Sequence, residues 1–170
     1  MTLVTELTTR VVARYTSALD LVTASAPLDY RARVQLASGT GAGQADLLFS
    51  DTRTINASSN DDLDLAAGLT DAFGASLTFA RIKGLIVTAA AANSNNVLVG
   101  GDATNTFLTW VGAEADNVIL RPGATLALFA GEADATGYAV TASTGDLLRI
   151  SNSGAGSSVT YSIVIVGASA

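Results

Sequence analysis

Read as alternating apolar and polar positions, the chain is a succession of strands. The clearest pattern is in residues 145–167 (GDLLRISNSGAGSSVTYSIVIVG). There Val159, Tyr161, Ile163 and Ile165 fall on one side and Thr160 and Ser162 on the other, until Val164 and Val166 make both sides apolar. A period of two with β-branched residues marks a half-buried strand, and two apolar faces require cover on both sides. Just upstream, Leu148 and Ile150 alternate with Leu147 and Arg149 across a small polar connector. Together they predict an antiparallel hairpin, which must add to a larger sheet because an isolated hairpin is marginal in water.

Residues 7–16 (LTTRVVARYT) fit two periods: Leu7, Val11 and Tyr15 share a helical face, while Val11, Ala13 and Tyr15 share a strand face. The threonines and valines favour strand. Residues 25–29, with Pro27, predict a turn. Residues 30–37 alternate again, with Ala32, Val34 and Leu36 inward, and they predict a second hairpin with residues 45–55 across the loop SGTGAGQ. Residues 63–73 (LDLAAGLTDAF) are the helical candidate: Leu63, Ala66, Ala67 and Thr70 share a face, Gly68 limits its length and Gly74 ends it.

From residue 76 the rhythm shortens to a strand every ten residues or so: 77–90, 96–99, 107–111, 117–120, 125–129, 138–141, 146–151 and 158–166. Arg121-Pro122-Gly123 puts proline and glycine at the centre of a type II turn, and Gly84 interrupts the longest strand at a bulge or bend. The expected fold is all-β, a jelly-roll-like antiparallel β-sandwich with one short helix near residues 63–73. In this reading residues 61–170 form the sandwich, and residues 1–60 are an N-terminal strand region that completes the sheets or contacts a neighbouring subunit.

Composition narrows the function. Charged residues are 14% of the 170, against about 25% in ordinary soluble proteins, and the net charge is −6. A nucleic-acid binder needs a basic stripe, which is absent here. No cysteine is present, which removes disulfides and thiolate chemistry. No run of about 18 apolar residues exists, so no membrane span is expected. The N-terminal stretch lacks the basic start and apolar core of a signal peptide, so a soluble chain not exported by that route is expected. A surface rich in Ala, Ser, Thr and Gly suits flat subunit contacts better than a deep pocket.

Candidate chemistry is sparse. Gly39-Thr40-Gly41-Ala42-Gly43 has the glycines of a phosphate loop, but a strand rather than a helix N-terminus is expected behind it. Asp61, Asp62 and Asp64 are the candidate metal ligands, for Ca²⁺, although the EF-hand glycine and glutamate are missing. The plainer reading makes Asp61 or Asp62 a helix N-cap. No histidine is present, which excludes Ser-His-Asp triads and histidine general bases. Carboxylate pairs drawn from Glu114, Asp116, Glu132, Asp134 and Asp146 all sit beside turns, where acidic residues are common without chemistry. Lys83 reads as structural, and the solitary Trp110 as core or subunit contact. No catalytic residue, cofactor or enzymatic activity is expected.

The segments DLDLAAGLTDAFG, ARIKGLIV, NNVLVGG, LRPGATLALFAG, TGYAVTASTGDLLRISNSGAG and VTYSIVIVG resemble small β-rich virion proteins of tailed bacteriophages. The likeness covers residues 60–167 well and the first 60 loosely. It implies a structural component of the particle, located in the virion and assembled in the host bacterial cytoplasm. A capsid decoration (cement) protein comes first, and a tail-fibre or baseplate module binding a receptor or glycan is the alternative. The implied partners are further copies of the chain, a trimer being favoured, and major capsid or tail proteins, with neither nucleic acid nor membrane. The resemblance transfers no active-site residue.

Overall fold

The computed structural model describes residues 2–170, and among them there is no helix. In chain order the strands are β1 (Thr5–Ala18), β2 (Thr23–Ser38), β3 (Gln44–Ala45), β4 (Leu47–Ile55), β5 (Asn60–Asp64), β6 (Leu69–Thr70), β7 (Ser76–Leu77), β8 (Arg81–Ala89), β9 (Val97–Gly100), β10 (Asn117–Leu120), β11 (Thr125–Phe129), β12 (Tyr138–Ala139), β13 (Leu147–Asn152) and β14 (Val159–Ala168).

Two antiparallel sheets face each other, one in the order β10-β9-β13-β5 and the other β11-β8-β14-β4, with β12 added to β8. The chain passes repeatedly between them, so that the first strand of the sandwich, β4, pairs with the last, β14. The second, β5, pairs with the penultimate, β13. This is the double Greek key of a jelly roll. The inward positions of both sheets make one core, including Phe49, Leu63, Leu85, Val87, Val99, Leu148, Ile150, Tyr161, Ile163 and Ile165. Phe79, Phe107 and Leu65, from the connections, close its ends.

Several local expectations are corrected. Residues 63–73 are not a helix. Leu63 pairs with Leu148 in the sheet, and the Asp64 carboxylate then accepts hydrogen bonds from the amides of Ala66 and Ala67. Gly68 turns at φ 81°, and Asp71 accepts from the amides of Phe73 and Ala75. Aspartates that capture nearby amides compete with the helical ladder, and buried Leu63 and Leu65 are spaced as in a strand. β13 and β14 do not form a hairpin: they lie in opposite sheets, joined across the end of the sandwich. Residues 30–37 and 45–55 do not pair either, since β2 pairs with β1 and β4 with β14. Residues 25–29 lie within β2, and the chain reverses at Leu19–Val22 instead. Within residues 1–60, β4 pairs with β14 and completes that sheet. The Pro122–Gly123 turn forms as expected, with the Ala124 amide donating to the Arg121 carbonyl and Gly123 at φ 81°.

β1 and β2 form a long ribbon paired from Thr5–Leu36 to Ala18–Thr23. Its base is seated on the outer face of the β11-β8-β14-β4 sheet. There Leu7, Leu36, Ala45 and Val166 make a second small core with Val34, Phe129 and Val164 against it. This explains why β14 is apolar on both faces near its end. It also gives Gly84 a purpose: a Cβ there would lie 2.6 Å from Leu7 Cδ1, so glycine lets the ribbon settle on the sheet without displacing the Leu7 side chain. The bulge on β8 falls beside it, where the β14 register shifts between Val166 and Gly167.

Candidate functional site

The residues singled out in the sequence do not converge. Asp61 is held by Arg53, whose Nε donates at 2.6 Å and Nη2 at 3.2 Å, and by the Tyr161 hydroxyl at 2.7 Å. β4 and β5 are edge strands of opposite sheets, so this cluster ties the two edges together with polar side chains. Burial, followed by the hydrogen bond to Asp61, pushes the Tyr161 phenol well above its ordinary range. Asp62 points to the other face of β5 and takes a two-pronged contact from Arg149, at 2.7 Å to each oxygen. That contact holds its carboxyl below the usual value. Asp64 caps the turn that follows it, which replaces the helix-capping expectation for Asp61 and Asp62. Each of the three carboxylates is engaged separately, and among the described residues no group of three or more acidic side chains is placed to share an ion.

The glycine loop 39–43 is closed on itself. The Gly39 amide donates to the Ala45 carbonyl, Ala37 to Gly43 and Gln44 to Gly41, while the Gln44 side chain accepts from Gly41. Strand β3 follows it, so no row of free helix-end amides is presented to a phosphate. Asp116, Asp134 and Asp146 accept from backbone amides of their own turns. Glu132 accepts from the amide of Gln35 at 2.7 Å and so fastens β2 to the body. Lys83 is fully buried at the β8 bulge, donates to the Asp134 carbonyl and has its pKa lowered by that burial. Trp110 packs partly against the core and donates to the Phe107 carbonyl at 3.0 Å.

Two concavities stand out among the described residues. One, of about 410 Å³, is a wide polar hollow over Arg53, Asn56, Asn60 and Asp61. The other, of about 550 Å³, is a mainly apolar groove at the start of β4, lined by Leu47, Leu48, Leu77 and the turn at Phe73, with Asp46 and Asp71 among its polar members. Phe73 is 79% exposed although it is aromatic.

The feature that sequence reasoning missed is the far half of the β1–β2 ribbon. Register puts Leu7/Val34, Thr9/Ala32, Val11/Tyr30, Ala13/Leu28 and Tyr15/Ala26 on one face. The opposite face carries Thr8/Arg33, Arg10/Arg31, Val12/Asp29 and Arg14/Pro27. The first face is thus an apolar stripe along the whole ribbon. Its base is buried, but beyond Ala32 it is open, with Val11 52% exposed, Leu28 54%, Tyr30 59% and Tyr15 82%. The charged face is internally tied, with Arg10 paired to Asp29 at 2.7 Å and Arg31 to Glu6 at 2.6 Å. Two alternating runs carry the signal in sequence, but the turn expected at residues 25–29 divides one of them. Comparison with protein-family models, curated proteins and solved structures finds no match for this chain.

Proposed function

We propose that this chain is a structural subunit of a tailed-phage particle, most simply a capsid decoration protein, that works by associating with copies of itself and with major capsid or tail proteins. The observation that carries the assembly part is the open apolar stripe of the ribbon. Two-stranded ribbons are marginal in water by themselves, and a contiguous apolar face rimmed by charge marks an interaction surface. The jelly roll supports the reading by supplying a rigid body. Its outer β11-β8-β14-β4 face is edged by hydroxyl pairs rather than charges: Thr52 with Ser162, Thr54 with Thr160 and Thr88 with Thr125, all near 3 Å. Flat, weakly charged surfaces of this kind suit repeated subunit contacts, where many modest interfaces add up to a stable shell. The placement in a phage particle rests on the resemblance of the turn-and-strand segments in residues 60–167.

The test is stoichiometry and size. Sedimentation of the purified chain at micromolar concentration should give a multimer, with a trimer expected, and quantitative mass spectrometry of the corresponding virion should find it in hundreds of copies. A strictly monomeric protein, or a handful of copies per particle, would overturn the decoration role.

A further inference from the structure

We infer that the far half of the β1–β2 ribbon is an exchange arm that seats in the groove beside β4 of a second copy of this chain; this rests on the self-assembly reading above. Among the described residues, the far half of the arm and the groove, whose rim includes Thr2 and Leu3 at the root of the same ribbon, are apolar surfaces that do not fill each other. The arm exposes Val11, Leu28, Tyr15 and Tyr30, and the groove exposes Phe73 and Leu48. About ten residue pairs, from Thr9 outward, extend past the seated base. At about 3.3 Å per residue they span on the order of 33 Å, long enough to cross a neighbouring subunit.

Three observations select a second copy as the occupant. The stripe is continuous with the section already seated on this same sandwich through Leu7 and Leu36, so its chemistry is one that this fold demonstrably accepts. Charge is divided between arm and body: residues 5–38 carry four arginines against three carboxylates, a net of +1. With the chain at −6, the remainder stands at −7. An arm of opposite sign to the body fits the body of a copy better than a generic surface. Size agrees as well. The exposed parts of Tyr15 and Tyr30 offer on the order of 200–350 Å², and Val11, Leu28 and the tip residues Leu19, Leu21 and Val22, all more than half exposed, carry the arm toward the roughly 800 Å² per partner of a stable interface. Arm and groove are different surfaces, so the contact is head-to-tail, and a rotation that closes makes a ring such as the trimer.

The experiment uses the full chain and two variants changed at exposed positions, Tyr15→Arg/Leu28→Arg on the arm and Phe73→Asp at the groove. Sedimentation equilibrium should show self-association weakened at least about thirtyfold in each variant, while each variant keeps a cooperative thermal transition at the midpoint of wild type diluted below its association range. Mixing the two variants should restore one contact, between the intact arm of Phe73→Asp and the intact groove of the arm variant, and yield heterodimers. A wild-type chain that is itself monomeric overturns both this inference and the self-assembly reading. A multimeric wild type whose arm variant stays multimeric overturns the arm alone. Dissociation by the arm variant but not by Phe73→Asp, or no heterodimer on mixing, overturns the groove as its seat.

Discussion

The seating of the arm base on Gly84 makes a prediction whose sign reverses with background. A methyl added at Gly84 would meet Leu7 Cδ1 at 2.6 Å and Cδ2 at 3.5 Å, and Leu7 is packed among Leu36, Ala45 and Val166 with little room to turn. Overpacking of this kind costs about 1–3 kcal/mol. Removing a glycine from a strand interior returns about 0.5–1 kcal/mol, so Gly84→Ala should destabilise by about 0.5–2 kcal/mol. Leu7→Ala should itself cost about 2–5 kcal/mol through the cavity it leaves. In that background the added methyl enters empty space, and Gly84→Ala becomes neutral or stabilising by up to about 1 kcal/mol. The double-mutant cycle therefore closes with a coupling of about 1–3 kcal/mol. Equilibrium denaturation in urea at matched m-values measures it, and amide exchange along β1 reports whether the arm base opens before the sandwich. Equal effects of Gly84→Ala in both backgrounds, within about 0.5 kcal/mol, would mean that Leu7 does not rest on Gly84, and the account of how the arm is anchored would fall.

Three further outcomes follow from the polar contacts. Asn152 donates to the Asn56 and Ser157 carbonyls and accepts from Asn95 and Gly154 at the end of the sandwich; Asn152→Ala should cost about 2–4 kcal/mol by leaving several of these groups unpaired, and a loss under about 1 kcal/mol in chemical denaturation would contradict that role. Tyr161→Phe should cost about 1.5–3 kcal/mol, the worth of a hydrogen bond to a charged acceptor. Because the folded phenol titrates above its unfolded value, its contribution is whole below the unfolded value and is lost progressively as pH climbs from there through the folded one, so phenolate absorbance from Tyr161 should appear only with unfolding. Asp62 is depressed by Arg149, so its contribution is present above the unfolded carboxylate value and lost as pH falls through the folded one. Arg149→Met should flatten that acid limb, by less than about 1 kcal/mol since the pair is partly solvated, and an unchanged acid melting profile would count against it.

Alternation along single strands was easy to read, and partnership was not. Residues 117–120 and 125–129 are strands to the residue, because proline followed by glycine suits the type II turn between them, with Gly123 at φ 81°, and apolar residues flank it on both sides. β14 shows its core face directly in Val159, Tyr161, Ile163 and Ile165. A period of two says which face a residue takes but not which strand lies beside it. For that reason β13 and β14, adjacent in sequence and correct in pattern, were paired with each other when the jelly roll sends them to opposite sheets. The helix expected at 63–73 failed because alanines and leucines at mixed spacing score for helix, while Asp64, Asp71 and Gly68 decide the backbone locally. Pro27 signals a turn in sequence, but β2 is an edge strand over that stretch, where a missing N–H is tolerated. The same misplacement hid the arm: with β2 cut at Pro27, the match of Leu28 and Tyr30 to Ala13 and Val11 had no register to express it.

Salt separates what holds the arm from what guides it. Most arm arginines are already answered within the ribbon, Arg10 by Asp29 and both Arg31 and Arg33 by Glu6, so the net +1 of the arm acts at a distance rather than through new ion pairs. At physiological ionic strength such a field decays over about 8 Å, and in 1 M salt over about 3 Å. Added NaCl should therefore slow association of arm and groove while leaving dissociation nearly unchanged, the division expected when rim charges steer and apolar contacts retain. Sulfate should tighten the multimer, since salts excluded from the surface strengthen apolar burial. Dissociation rates followed by stopped-flow dilution check both effects. A multimer that falls apart in 1 M NaCl would show that charge holds the subunits together, and the apolar stripe through Val11, Tyr15, Leu28 and Tyr30 would then need a different occupant.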